Sequence, residues 1–487
     1  MLALAPACGG RSDLTMRGIS ENDTVMTPTP APRCLTAGPV APPSPVGAAC
    51  AFDASDRVHV VVSSNARLYG IDGHERVHTL FDFGSGWPFP PGVVSSELIA
   101  RGEYVAAAVY DTPADELTPT RALVELVVLD AERQVTFREV LSHEYDGFLD
   151  LTITGNEAGL FAFGIHTASA GTLLISGPGG QRLGSFPDLR PASDPDELGR
   201  LLVRREQELN WFDPCADALS PTRAASIDVY IETRPQGAQL LYVDPRNATA
   251  YSERYDDRAA LSLRRTAEPR TLLVHPSSWM LIGFRDSPYS FDLAHVRDGR
   301  VVAVDVEPPA GLRRFRADGI VGFDTAATDE LALDSQGRIL VGFRDDTWGH
   351  LYRSADGKNW EALGLPVGEV RGVAGLERNG TYLIHGKPSG YRPGHWPPPE
   401  QGSRRVDFEQ VQLVRPSAGM ELVLYQADDP ISQARNFVLS DDGGCAGLVL
   451  GDNVYLTSAV SGDSRTFTLP AATVYLDQLA FLNAQAR

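Results

Sequence analysis

The sequence predicts an all-β fold, a β-propeller of about seven four-stranded blades, with six or eight as alternatives. Three observations carry this reading. Apolar residues recur with period two in short runs, as in Val58 to Val62, Tyr104 to Tyr110, Leu123 to Leu129 and Leu160 to Phe163. Gly, Asp, Asn or Pro closes almost every run, which is the pattern of many short antiparallel strands. Blocks of sequence also recur: Gly283-Phe284-Arg285-Asp286 returns as Gly342-Phe343-Arg344-Asp345 at an offset of 59, and Asp298-Gly299 returns as Asp356-Gly357 at an offset of 58.

A more diverged copy aligns without gaps at an offset of 178, matching Gly164, Gly171, Leu173, Ser176 and Gly179 to Gly342, Gly349, Leu351, Ser354 and Gly357. Three periods of about 59 give that number, and the turn signals at Asp72-Gly73 and Asp130 are again 58 apart. A unit of this length made of strands cannot bury its own faces, so it must stack on its neighbours.

Composition removes other classes. The chain has 487 residues, 43% hydrophobic and 22% charged, with 46 Gly and 35 Pro, which describes a loop-rich globular protein and neither a coiled coil nor a disordered chain. No run approaches the ~18 apolar residues of a membrane-spanning helix. A net charge of -20 repels a phosphate backbone, so nucleic acid is not an expected partner. The lysines are Lys358 and Lys387, and the other 41 of the 43 basic residues are arginines spread evenly along the chain. This reads as a coding bias, and a single arginine is therefore no signal of a site, although its fork suits carboxylates wherever it lines a pocket.

Taken in order, the chain opens with MLALAPA, a small apolar run ending at Cys8. It resembles the end of a bacterial lipoprotein signal, with Ala7 before a cysteine that the family acylates, although the apolar stretch is shorter than the about 7 to 15 residues of a complete signal. The resemblance implies an exported protein of the outer membrane, periplasm or cell surface, touching the membrane through the lipid on Cys8 alone. From Met26 to Val46 there are seven prolines and no apolar periodicity, the mark of an extended tether. The expected division is a truncated signal at 1–8, a Pro-rich tether at 9–50 and the propeller at 51–487.

Setting Cys8 aside leaves Cys34, Cys50, Cys215 and Cys445, an even number suited to two disulfides. Three pairings are open. Cys34 with Cys50 would close a short loop and leave Cys215 with Cys445 as a long-range staple; four buried thiols are the alternative. No CxxC or Cys/His cluster has zinc spacing, so neither metal nor cofactor is expected.

One segment departs from the strand pattern. In DPDELGRLLVRREQEL, Asp194 can cap, Pro195 occupies the first helical position, and Leu198, Leu201, Leu202 and Leu209 keep helical spacing, which predicts one inserted helix near 195–209.

The turn Ser354-Ala355-Asp356-Gly357-Lys358-Asn359-Trp360 resembles the Asp-box, or bacterial neuraminidase repeat, of sialidase-like propellers. Ser461-Gly462-Asp463-Ser464-Arg465-Thr466-Phe467 resembles it more weakly and lacks the glycine at the matching place. The Asp356 carboxylate can accept N–H groups of its own turn while Trp360 packs beneath it, a folding device. The resemblance implies that Ser354, Asp356, Gly357, Trp360, Ser461, Asp463 and Phe467 are structural, in turns between third and fourth strands, away from the binding face.

The loops between second and third strands then lie on the opposite face. They begin at Arg285-Asp286, at Arg344-Asp345-Asp346 and, in the diverged copy, at Ile165-His166, and they also hold Tyr289, Trp348 and His350. Propeller ligands sit where such loops converge on the central channel, so these residues are ligand-binding candidates. The competing reading of each Arg-Asp neighbour is a solvated ion pair worth little. His385 and His395 flank a loop with Tyr391, Trp396 and five prolines, a rigid aromatic element of the kind that binds ligands.

The Arg-Ile-Pro motif that the sialidase resemblance requires is absent; Arg190-Pro191, Arg234-Pro235, Arg392-Pro393 and Arg415-Pro416 lack the isoleucine. No Gly-x-Ser-x-Gly elbow, phosphate loop or His-Glu-x-x-His occurs. The expectation is a monomeric, lipid-anchored binding or scaffold protein taking a carbohydrate or protein ligand. The alternative is a glycan-active hydrolase or lyase with a diverged site.

Overall fold

The computed structural model describes residues 50–482, apart from stretches of which the longest are 88–94, 113–119, 224–233, 306–320, 324–330, 364–371, 388–408, 428–435 and 471–477. Among the described residues, hydrogen bonding joins the strands into nine sheets, eight of them four-stranded. Neighbouring strands run antiparallel except Val321–Phe323, which lies parallel to Gly372–Arg378 as a fifth strand on the eighth sheet. The first sheet combines Val58–Ser64, Arg67–Asp72 and Val77–Asp82 with Gln478–Phe481 from the far end of the chain.

Stacking explains why the strands are so apolar. In Tyr104–Asp111, Val105, Ala107 and Val109 pack toward the first sheet with Val61, Leu68 and Phe83, while Ala106, Ala108 and Tyr110 pack toward the third with Leu151, Phe161 and Phe163. Alternate side chains point to opposite faces, and both faces are covered. The third sheet meets the fourth through Leu160, Ala162, Leu201, Val203 and Phe212. Trp211 of the fourth donates its indole N–H to Glu253 of the fifth at 3.0 Å. The eighth meets the ninth through Leu383, Leu413, Leu439 and Ala446, and the ninth returns to the first through Cys445, Leu456, Val60 and Tyr69. The sheets thus form a closed propeller-like ring.

Among the described residues there are nine sheets, where a uniform period near 59 predicts about seven blades, with six or eight as alternatives. The Gly283/Gly342 pair does join equivalent strands of adjacent sheets, Ser278–Phe284 and Ile339–Arg344. The offset of 178 instead spans four steps, from Phe161–His166 in the third sheet to Ile339–Arg344 in the seventh, because connections of unequal length separate the sheets.

The inserted helix is replaced by strands Arg190–Pro191, Leu201–Arg205 and Glu208–Asp213. Leu201, Leu202 and Val203 are all buried, which a strand between two packed sheets satisfies and an amphipathic helix does not. Asp194 caps nothing helical; its carboxylate accepts the Gly155 N–H and pairs with Arg101. Asp196 accepts the N–H groups of Leu198 and Arg200 in a tight turn closed by Gly199 at φ 82°.

Of the three arrangements left open, the structure shows the one that joins Cys50 to Cys445, which excludes Cys34 with Cys50 and Cys215 with Cys445. The ring brings these two cysteines, 395 apart in sequence, into contact. Cys215 lies half-buried in the turn after Glu208–Asp213, and Cys8 and Cys34 lie outside the described residues.

Candidate functional site

Antiparallel neighbours reverse direction, so in each sheet the turns joining strands one to two and three to four share one edge, and the loops joining strands two to three occupy the other. Aspartates organise the first edge. Asp356, between Gly349–Ser354 and Glu361–Ala362, accepts the N–H groups of Lys358 at 2.9 Å and Asn359 at 2.8 Å and the Ser354 hydroxyl at 3.0 Å. The Asn359 and then the Lys358 N–H hold its carboxyl well below the usual range. Trp360 is half-buried. Asp72 does the same work in the first sheet, accepting the N–H groups of His74 and Arg76, the Arg76 guanidinium and His78. Burial pushes the Asp72 carboxyl up, but the bonds from Arg76 and His78 outweigh it and hold it well below its ordinary value.

Asp130 and Asp213 cap the matching turns of the second and fourth sheets. At the weaker copy, the Ser458 hydroxyl accepts the N–H groups of Val460 and Ser461, the Ser461 hydroxyl accepts that of Asp463, and Phe467 is buried in the core. Gly357 lies outside the described residues.

At the opposite edge, Arg285, Asp286, Tyr289, Asp345, Asp346, Trp348, Tyr391 and Trp396 lie outside the described residues. Arg344 ends the second strand of the seventh sheet and pairs with Gly349, one position beyond the Phe343 and His350 pair. His385 sits within Thr381–Lys387, opposite Ala374 and Val411. His166 is fully described, and it anchors a rim along the second, third and fourth sheets.

His166 ends strand Phe161–His166 and pairs with Asp150 on one side and Gly171 on the other. Its ring fills the space that side chains at Gly164 and Gly171 would occupy; a Cβ at Gly164 would sit 2.7 Å from Nε2. Only 4% exposed, the imidazole leaves Nε2 buried without a hydrogen-bond partner. Burial, then Arg190 and His143, push its pKa down to about 4, so the ring is neutral at physiological pH.

Asp150 and Arg190 begin the first strands of the third and fourth sheets, and their half-exposed charges lie 3.7 Å apart. Tyr110 closes the rim from the second sheet, with Tyr145 at 6.4 Å between ring centroids. Burial, then Tyr145, raise the Tyr110 hydroxyl.

This edge therefore carries a guanidinium, a carboxylate and a neutral buried imidazole, beside a buried Tyr110 and a Tyr145 whose hydroxyl donates to the Gly147 carbonyl. Sequence reasoning selected His166 and missed Asp150, Arg190, Tyr110 and Tyr145. A usable signal existed at Arg190, which stands before Pro191 at the start of a first strand, but that position depends on strand boundaries the predicted helix had erased. Among the described residues, no group of three His, Cys, Asp or Glu is placed to hold a metal ion.

Fold and rim together define a β-propeller protein. No family model matches the chain, and no curated protein matches it. Solved structures similar to it include a prolyl endopeptidase at 14% identity and TM-score 0.40, covering 75% of this chain and 54% of that one. This chain thus spans about half the length of that endopeptidase, at 54%. The β-propeller domain of the Trilobed protease from Pyrococcus furiosus is similar at 10% identity and TM-score 0.33, over 69% of this chain and 100% of that one. A eukaryotic initiation factor is similar at 8% identity and TM-score 0.47, over 87% of this chain and 98% of that one.

Proposed function

We propose that this chain is an exported β-propeller binding protein, held to a membrane by a lipid on Cys8 and a tether over 9–50, with its ligand at the edge of the second-to-third-strand loops. The observation that carries the reading is the His166 imidazole, buried with Nε2 unpartnered at a strand end that pairs with Asp150, whose carboxylate faces Arg190. A buried polar atom without a partner costs free energy unless something else supplies one. The aspartate turns, similar to Asp-box turns, serve folding at the other edge, which leaves the loop edge free to vary with the ligand. The disulfide accords with an oxidising compartment.

The test is binding of the purified chain to glycan and peptide arrays, followed by affinity measurements on Arg190→Ala. Binding without bond cleavage, weakened at least tenfold by the substitution, supports the reading. Cleavage of a bound glycan would move the protein to the hydrolase or lyase class, and unchanged affinity in Arg190→Ala would remove the rim from consideration. The anchor is tested separately by palmitate incorporation in cells, which Cys8→Ser abolishes if Cys8 is the acylated residue.

A further inference from the structure

Among the described residues the ring has one seam where the two ends of the chain meet, between the ninth and first sheets. Two independent fastenings cross it. Among the described residues Gln478–Phe481 pairs with Val58–Ser64 over four residue pairs, Val60 with Phe481 through Ser63 with Gln478, and the Leu482 N–H donates to the His59 carbonyl. The Cys50–Cys445 disulfide ties the segment ahead of the first strand to the second strand of the ninth sheet, Cys445–Leu450.

The disulfide does more than close a loop, because the residues after Cys50 are built into the seam. Phe52 packs against Phe467 of the ninth sheet and His59 of the first, each at 5.6 Å between ring centroids. Arg465 lies over the Phe52 ring at 4.9 Å and pairs with Glu75 in the first sheet. The Ala54 N–H donates to the Gly73 carbonyl. Cys50 and Phe52 join the same apolar cluster as Val60, Val62, Leu479 and Phe481, so the bond holds down the surface on which the closing strand rests.

We propose that Cys50–Cys445 is a redox-dependent latch on this seam: oxidation locks the closing strand into the first sheet, and reduction releases it while the other sheets stay folded. Locking removes two protons and two electrons from the thiols, delivered by thiol–disulfide exchange to a disulfide-bearing oxidant. For release, an external thiolate attacks the sulfur of half-buried Cys50 and expels the fully buried Cys445 thiolate. A second external thiol then resolves the mixed disulfide, leaving two protein thiols and an oxidised reductant. A closing strand of four residues has little pairing of its own, which places it at the low-stability end of the fold once the latch opens. The ring would therefore close fully only after the chain reaches an oxidising compartment, independently of what its loop edge binds.

Amide hydrogen exchange on the full chain tests this in three states: oxidised, reduced with dithiothreitol, and Cys50→Ala. Reduction is expected to speed exchange at least tenfold in 478–482 and 58–64, with strands Tyr104–Asp111 and Phe161–His166 unchanged. Oxidised glutathione should then restore protection to the reduced wild type and not to Cys50→Ala. Unchanged exchange in 478–482 after verified reduction overturns the latch. So does equal acceleration in every sheet or general unfolding, either of which makes the bond a global stabiliser.

Discussion

The Glu125 carboxylate offers the sharpest test of how adjacent sheets are joined. It is fully buried on Arg121–Leu129, where Oε1 accepts Arg138 Nε at 2.7 Å and Oε2 accepts the Gly84 N–H at 2.6 Å. Gly84 belongs to the connection between the first and second sheets, so one side chain pins that connection in place. Glu125→Ala strands two donors with different fates. Arg138 is 39% exposed and keeps its bonds to Ser85, so it rehydrates cheaply. The N–H of Gly84, a half-buried residue, loses its acceptor, a loss of about 1–3 kcal/mol. Breaking a buried pair from one side costs about 3–5 kcal/mol in general, and the exposure of Arg138 places this one near the lower end, at about 3 kcal/mol.

For a chain of this length that is a fall in Tm of only about 3 °C, so the urea midpoint is the better measure. The decisive comparison is the double variant Glu125→Ala with Arg138→Met. It should remain at least about 1 kcal/mol less stable than wild type, because the Gly84 N–H is still unpaired. A double variant as stable as wild type would show that the ion pair alone carried the cost and that the connection is held by something else.

Two further outcomes follow from the perturbed groups. His166 has a folded pKa of about 4 against an ordinary 6.5, so the unfolded chain binds the extra proton; the associated stability is complete above about pH 6.5 and is lost as pH falls toward 4. Wild type should lose up to about 3 kcal/mol more than His166→Gln across that window in urea titrations. Parallel curves would mean that burial, with Arg190 and His143, does not leave the imidazole neutral. Asp356→Ala should lower stability by about 1 kcal/mol at neutral pH, through lost N–H acceptors in an exposed turn. The Asp356 pKa is depressed, so its contribution is present above about pH 4 and lost as pH falls through the folded value. Thermal melts of wild type and variant should therefore converge in strong acid.

Much of the fold is legible in local sequence. Strands such as Tyr104–Asp111 announce themselves because period two and turn residues are properties of neighbouring positions, and Asp356 and Asp72 are readable because each aspartate bonds its own turn. The loop edge was legible for the same reason: strand direction alone assigns His166 and Arg344 to equivalent ends of their strands. The partners of His166 were not, since Asp150 and Arg190 come from two different sheets.

By itself, the sequence determined that the chain is built of short antiparallel strands in repeated sheets, with aspartate turns at one edge and the second-to-third-strand loops at the other. Tertiary structure decided the rest. Connections of unequal length hide the number of sheets, because an offset counts residues and not stacked layers. Leu201, Leu202 and Val203 became a strand because packed sheets cover both of its faces, a gain that outweighs the local helical signal of the preceding capping residues. Cys50 found Cys445 because closing a ring brings the two ends of the chain together, and no spacing in the sequence records that distance.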